Sequence, residues 1–367
     1  FADILFPGLS TIQSRAKYFL LIPWGYQLLE RKRVPSREIA ARDRHLEVGL
    51  IDALAESDDA YGVIGIVARK TLKNLPSRIY WQGLHKWGIR QFPGSQDQYH
   101  RSLDAFYSNP AREVLNDDGE PALGRSARNW HSGLPEPPAD FSRHATLRLT
   151  MAEGEYLRDR ILNRLPGSLL AFLVSEVEPA EDVPFPWQHP GHPSFPPKNR
   201  LELYHARCFS EAIHGSALLY NLMLAERRGI EGVIERYRQS LADWANMLQV
   251  RGPQLMAWKR PEFWSLLASA GAEISLPTRS FVDAWLNLAL EGKAASIPED
   301  RTARQLVHAR ERLLKRGLAR LDNQRALEKW GEASGAGRQD YRWSPVVRDT
   351  VYDIQVAVRG AEHDAAV

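Results

Sequence analysis

One stretch of this chain leaves little choice of structure: Ile230, Val233, Ile234, Tyr237, Leu241, Trp244 and Leu248 recur at steps of three and four. An α-helix puts such a set on one face, and the stripe must be buried against other elements. Neighbouring segments carry the punctuation of further helices. Segment 201–228 is stopped by Gly229, and 278–291 opens at Thr278 and ends at Gly292, residue types that cap helix starts and ends. Another helix follows Pro298, with Leu306, Val307, Leu313, Leu314, Leu318 and Leu321 read as one face. Thr150 and Glu153 match a capping box that opens a helix to about 165, and Pro166-Gly167 separates it from a short helix over 168–175. The best alternation of apolar and polar residues, 146–150, is short, so little strand is expected, and no internal repeat is evident. The chain is predicted to be mainly α and multi-helical.

Prolines divide that pattern. Between 178 and 197 stand Pro179, Pro184, Pro186, Pro190, Pro193, Pro196 and Pro197, which forbid regular structure there. A second loop-like region, 108–140, holds Asp117-Asp118-Gly119 and Pro135, Pro137 and Pro138. The expected organisation is an N-terminal helical region over 1–107, a connecting region with short helices over 108–198, a helical bundle over 199–330 and a C-terminal tail over 331–367.

The chain has 367 residues, 44% of them hydrophobic, enough for a substantial core. Its longest apolar runs fall far short of the ~20 residues of a membrane span, so no membrane crossing is expected. With Cys208 the only cysteine, the chain can form neither an internal disulfide nor a cysteine-based zinc site, which fits a reducing cytoplasm. Lys and Arg number 48 against 45 Asp and Glu, so the distribution of charge matters more than its sum.

That distribution is uneven. Between 69 and 90 lie Arg69, Lys70, Lys73, Arg78, Lys86 and Arg90 with no acidic residue, interleaved with Tyr80, Trp81 and Trp87. Six cations attract an anion, and aromatic residues among them are the pattern of a nucleic-acid surface. The competing reading puts the aromatics in the core and leaves the charges merely solvated. The segment also reads as two helices, 63–72 and 77–87, joined by Asn74-Leu75-Pro76 after an amphipathic helix near 42–55, an arrangement like a helix-turn-helix. A second basic stretch, 301–329, holds nine cations against Glu311, Asp322 and Glu328; its helical spacing makes an ordinary solvated face the preferred reading.

Sites for chemistry are sparse. Glu211 and His214 share a helix face, but a carboxylate-bridged metal site needs a second such pair, so a buried, hydrogen-bonded histidine is expected. His189 and His192 lack a clear third ligand, and a flexible surface segment is expected there. Cys208, one turn after His205, reads as a buried small hydrophobe. Trp258, Trp264 and Trp285 read as core rather than as a partner surface. Gly62-Val63-Ile64-Gly65 lacks the lysine and spacing of a phosphate-binding loop, so an ATPase is not expected. No catalytic residue, metal or cofactor is assigned.

The opening Leu5-Phe6-Pro7-Gly8-Leu9-Ser10-Thr11-Ile12-Gln13-Ser14-Arg15-Ala16-Lys17-Tyr18-Phe19-Leu20, followed by Pro23-Trp24, resembles the signature of an uncharacterised bacterial group, domain-of-unknown-function family 6361. Leu75-Pro76-Ser77, Ile79-Tyr80-Trp81, Trp87-Gly88-Ile89, Arg207, Phe209 and the run 218–226 extend the resemblance over roughly the first 230 residues, although at Leu9 the family more often shows a small polar residue. The resemblance implies a cytoplasmic protein encoded beside helicase and phospholipase-D-like nuclease genes in phage-defence neighbourhoods, and a further segment ahead of Phe1. It implies no catalytic residue. These readings favour a non-enzymatic nucleic-acid-binding or adaptor subunit of a bacterial anti-phage defence or DNA-processing assembly, with DNA as the candidate nucleic acid; the resemblance alone implies its helicase or phospholipase-D-like nuclease partners. The alternatives are a metal-dependent nuclease or other enzyme with an unrecognised site and a purely structural protein-interaction subunit.

Overall fold

The computed structural model describes residues 1–108, 128–176 and 183–364; Asp117-Asp118-Gly119 and Pro179 lie outside them. Among the described residues there are fifteen α-helices and no strand. Twelve of the helices have eight residues or more. Six stand in the first half of the chain: α1 (Tyr18–Arg31), α2 (Ile39–Ala55), α3 (Pro76–Lys86), α4 (Gln96–Ser108), α5 (Met151–Arg164) and α6 (Leu169–Glu176). The others are α7 (Pro197–Arg228), α8 (Glu231–Val250), α9 (Arg260–Ser269), α10 (Leu276–Leu290), α11 (Arg301–Lys315) and α12 (Arg348–Asp364). The chain falls into two compact units, one of residues 2–199 with 342–367, the other of 200–341 with Phe1.

In the larger unit α1 is the apolar centre. Every residue from Tyr18 to Tyr26 is buried, and the helix packs on α2 and α3. Helices α5 and α12 approach closely at Gly154, where a side-chain carbon would stand 2.7 Å from Cβ of Ala357. The segment from 331 onward is therefore no tail: its last helix is core structure of this unit. The expected capping box is present at the start of α5, the Thr150 hydroxyl and the Glu153 carboxylate each accepting from the other's backbone N–H.

The polar residues between Gly8 and Lys17 hold this unit together from inside. Gln13 Nε2 donates to the Gly8 carbonyl (3.3 Å), and the Tyr80 hydroxyl accepts from Ser14 N (2.9 Å) while donating to the Arg15 carbonyl (3.0 Å). The Arg15 guanidinium grips two carboxylates, Asp59 at 2.9–3.0 Å and Asp353 at 2.8–2.9 Å. Asp353 also accepts from Ala16 N. Lys17 Nζ stands 2.5 Å from Glu153, the capping-box carboxylate of α5. Burial pulls the Lys17 ammonium down in pKa, and Glu153 opposes that pull.

The helix expected over 63–72 does not form. Gly62 and Gly65 take left-handed φ values of 82° and 84°, Arg69 one of 46°, and the Ile64 N–H is held by the Tyr18 hydroxyl (2.9 Å) rather than by a preceding turn of helix. Residues 56–75 run as turns with one 3-10 turn, Arg69–Thr71. The second helix of the expected pair is real, as α3, but without its predecessor there is no helix-turn-helix. The proline-rich segment, where described, is ordered by two 3-10 turns, Pro186–Gln188 and His192–Ser194.

In the smaller unit two tryptophans anchor neighbouring helices to α7. Trp244 of α8 donates to the Glu211 carbonyl (2.8 Å) and Trp285 of α10 to the Ala212 carbonyl (2.9 Å). Gly215 makes room for the first, since a side-chain carbon there would run into the Trp244 ring. Helix α10 starts at Leu276, with Ser275 rather than Thr278 at the cap position, and α11 is capped by Asp300, which accepts from Ala303 N. Residues 330–341 run back along α7 as a strap. Tyr341 donates to the Ala206 carbonyl, Ser210 to Gln339, Asn221 to Ser334 and Arg228 to Trp330.

Three substitutions test these assignments. Leu241→Ala, on the buried face of α8, is expected to cost roughly 2–5 kcal/mol, and the exposed Glu235→Ala about 0.5 kcal/mol or less. Arg15→Met, which strands two carboxylates beside an apolar group, is expected to cost about 3–5 kcal/mol. Denaturant melts of the three variants check both.

Candidate nucleic-acid interface

The structure separates the six basic residues of 69–90. Arg90 is a core residue, 2% exposed. Its guanidinium stacks on the Trp81 ring at 4.4 Å and donates to the carbonyls of Trp81, Phe92 and Gly94. Burial without a carboxylate pushes its pKa down to about 10. It shapes the loop after α3 and offers nothing to a ligand. Arg69 is half-buried and paired with Asp52 at 2.5 Å. Lys70, Lys73, Arg78 and Lys86 are exposed and make no ion pair among the described residues.

The aromatic residues of the segment face inward. Tyr80, Trp81 and Trp87 are 1%, 4% and 0% exposed, and their polar atoms bond to the carbonyls of Arg15, Gly94 and Pro7. Helix α3 thus buries Tyr80, Trp81 and Leu84 and turns Arg78, Gln82, His85 and Lys86 outward. Spacings of four, three and one place these four on one side of the helix. At 1.5 Å per residue the stripe is about 12 Å long from Arg78 to Lys86. The loop before it is fixed from α2, where Arg44 donates to the carbonyls of Lys70 (2.7 Å) and Leu72 (3.0 Å).

At the C-terminal end of α3 the fold adds two cations that sequence reading missed, Arg160 and Arg164 of α5. Both crowd Gly88, where a side-chain carbon would lie 2.7 Å from Arg160 Nη2 and 2.9 Å from Arg164 Nε. Gly88 has a φ of 67°, so it is suited to this position both by conformation and by lack of bulk. Arg160 is held by the Trp87 carbonyl (3.2 Å) and His131 Nε2 (3.0 Å). That contact makes Nε2 the acceptor and places the His131 proton on Nδ1, facing the Tyr156 hydroxyl at 3.4 Å. Arg164 is exposed. The field converges on His85, whose pKa is lowered by burial and by Arg90, Arg164 and Lys86 together. Lys86 is more than seventy residues from Arg160 and Arg164 in sequence, and no local pattern links it to them.

The other candidates are structural. Glu211 is 2% exposed and accepts from Arg207 (2.8 Å) and Arg251 (3.0 Å), while His214 bonds the Ala336 carbonyl of the strap. His189 is not on a flexible surface: it is 5% exposed, accepts from Gly191 N and packs on Phe195 and Trp343. Burial pushes the Cys208 thiol up to about 11, and His205 Nδ1 is taken by Trp258 Nε1. In the second basic stretch Arg304 pairs with Glu226, Arg312 with Asp322 and Lys315 with Glu311. Among the described residues no three of His, Cys, Asp and Glu converge in a way that would hold a metal ion.

One cluster has catalytic chemistry but no room for a substrate. Asp43 and Glu47, one turn apart on α2, are 3% and 5% exposed and are linked through the Ser77 hydroxyl, which faces both carboxylates. Tyr26 donates to Asp43 (2.7 Å), Ser77 donates from Oγ and N to Glu47 (2.6 and 2.8 Å), and Gln96 donates to Tyr26 and Ser77. His100 Nε2 completes the network at 3.1 Å from the Tyr26 hydroxyl. Burial raises both carboxyls, Asp43 to about 6 and Glu47 well above its usual range, with the Asp43 charge adding to the rise of Glu47. The adjoining cavity is about 10 Å³, space for one water.

Compared with known proteins, residues 1–351 match the model of a family of unknown function (DUF6361). No curated protein and no solved structure matches.

The carboxyl pair sets a pH dependence. Both groups hold protons in the folded state that they release at about pH 4 when unfolded. Stability is therefore fully present below that value and is lost as pH rises from there through the raised folded values, about 6 for Asp43. Glu47→Gln keeps a donor toward Asp43 and removes one titration. Its melting temperature is expected to fall less than that of the parent as pH rises above about 4. Parallel declines would show that the pair does not titrate as described.

Proposed function

The chain belongs to that family, and from this premise we propose that it is a non-enzymatic nucleic-acid-binding adaptor that holds DNA through backbone phosphates. The observation that carries the reading is the exposed cationic surface of Arg78, Lys86 and Arg164, extended by the half-buried Arg160, for which no carboxylate partner stands among the described residues. A guanidinium or ammonium left unpaired at a surface, beside others of the same sign, is electrostatically unfavourable until an anion arrives. Phosphates spaced along a strand are the anion whose repeat suits a row of cations of this length. Lys70 and Lys73 extend the row from the loop that Arg44 fixes. The cytoplasm is the compartment this reading requires. Strand separation and cleavage are supplied, on this reading, by helicase and phospholipase-D-like nuclease partners, and the adaptor's part is to bring them to DNA.

Binding of a mixed-sequence duplex measured against salt tests the proposal. If Arg78, Lys86, Arg160 and Arg164 each neutralise one phosphate, the slope of log affinity against log salt is about −3.6. The double variant Lys86→Gln, Arg164→Gln is expected to keep its fold, lower the slope by about two and weaken different sequences equally. Arg90→Gln is expected to act the other way round, lowering stability with no specific change in slope. A folded double variant with parental affinity and slope removes these residues from the interface. A parent chain that binds neither duplex nor single strands at ~50 mM salt removes the DNA reading.

A further inference from the structure

Helix α11 ends in leucines that the fold does not bury. Its first turns pack Ala303, Val307 and Glu311 inward, and Leu314 continues that face by spacing. Yet Leu314 is 63% exposed, Leu313 54%, and Leu318 in the following 3-10 turn 71%. The sequence stripe that places Leu306, Val307, Leu313, Leu314, Leu318 and Leu321 in one core is thus only partly used, since Val307 and Leu321 are buried and three leucines are left in solvent. Each exposed leucine forgoes about 1.5–3 kcal/mol of burial.

The overhang is held in place rather than frayed. The Glu311 carboxylate accepts from the backbone N–H groups of Arg320 and Leu321, both at 2.9 Å, and from Lys315 Nζ and the Tyr220 hydroxyl. Those bonds tie the chain leaving α11 back onto the helix. Arg316, with a left-handed φ of 50°, makes the bend.

Charge selects the occupant. Glu311 is 4% exposed with its oxygens taken, so the side chains turned outward around the leucines are Arg310, Arg312 and Arg316. Arg310 is occupied with Thr278 and the face of Phe281, Arg312 stands 3.5 Å from the half-exposed Asp322, and Arg316 has no ion pair among the described residues. A second copy of this surface would set arginines against arginines, which opposes a symmetric pairing. An apolar ridge flanked by cations is complementary to an amphipathic helix with leucine-type residues on one face and carboxylates beside them.

We propose that Leu313, Leu314 and Leu318, rimmed by Arg312 and Arg316, form the docking surface for an acidic amphipathic helix of a partner protein. The inference gives the adaptor reading its protein-binding face, and it rests on residues that take no part in the DNA contacts, so either can fail alone.

Fluorescence anisotropy of the full chain with a labelled ~18-residue helical peptide, leucines at i, i+3, i+4 and i+7 and glutamates on both flanks, tests it against the same peptide with lysine flanks. The acidic peptide is expected to bind at least about tenfold more tightly than the lysine peptide. Leu314→Ser with Leu318→Ser is expected to weaken it about tenfold or more without lowering the melting temperature, because both side chains are already in water. Arg312→Glu with Arg316→Glu is expected to reverse the preference between peptides, a result that misfolding does not produce. Equal binding of both peptides, or of neither, overturns the proposal. So does a concentration-dependent dimer abolished by Leu314→Ser, which would make a second copy the occupant, or binding to phosphatidylglycerol vesicles with no binding to the peptide.

Discussion

Everything in the larger unit depends on charge placed where charge is costly. Arg15 and Lys17 are 8% and 3% exposed, and an isolated cation in such a position is unstable by several kcal/mol. It is tolerated here because each finds its carboxylate in a different part of the chain: Asp59 in the loop after α2, Glu153 in the first turn of α5 and Asp353 in α12. Hydrophobic contacts are forgiving about register, whereas a buried ion pair is satisfied only when both partners arrive. The opening segment of the chain thus has a structural meaning. Its apolar residues, Leu5, Phe6 and Leu9, fill the core, and its polar residues specify which helices meet there.

The same division of labour runs through α3 and explains what the protein offers to a ligand. The aromatic residues that looked available for base stacking hold the core and donate to carbonyls, while the cations stay outside on a helix that those aromatics make rigid. On the proposed reading, a surface built this way positions a phosphate backbone and offers no aromatic face for base stacking, since Tyr80, Trp81 and Trp87 are buried.

Local signals in the sequence were legible where local physics decides. The helical stripe of α8, the capping box of α5 and the glycines that end α7 and α10 all appear where spacing and capping place them. Residues 63–72 misled because an apolar, acid-free run reads as helix, whereas two left-handed glycines and a tyrosine from α1 decide the backbone. Arg90 and His189 looked like surface residues because sequence shows charge and polarity but not the carbonyls and rings that enclose them. The part of the basic surface formed by Arg160 and Arg164 was invisible for a plainer reason: it exists only once α5 is set beside the end of α3. The return of α12 to the core of the N-terminal unit likewise has no local sign, since the partner of Asp353 is 338 residues away.

Lysine-selective labelling of the full chain with and without a ~20-bp duplex, read by mass spectrometry, tests the central claim most directly because it reports on the cations themselves. The account predicts that duplex protects Lys86, together with Lys70 and Lys73, while Lys259 and Lys293, exposed in the smaller unit, label as before. Protection confined to the smaller unit, with Lys86 unchanged at saturating DNA, would contradict it.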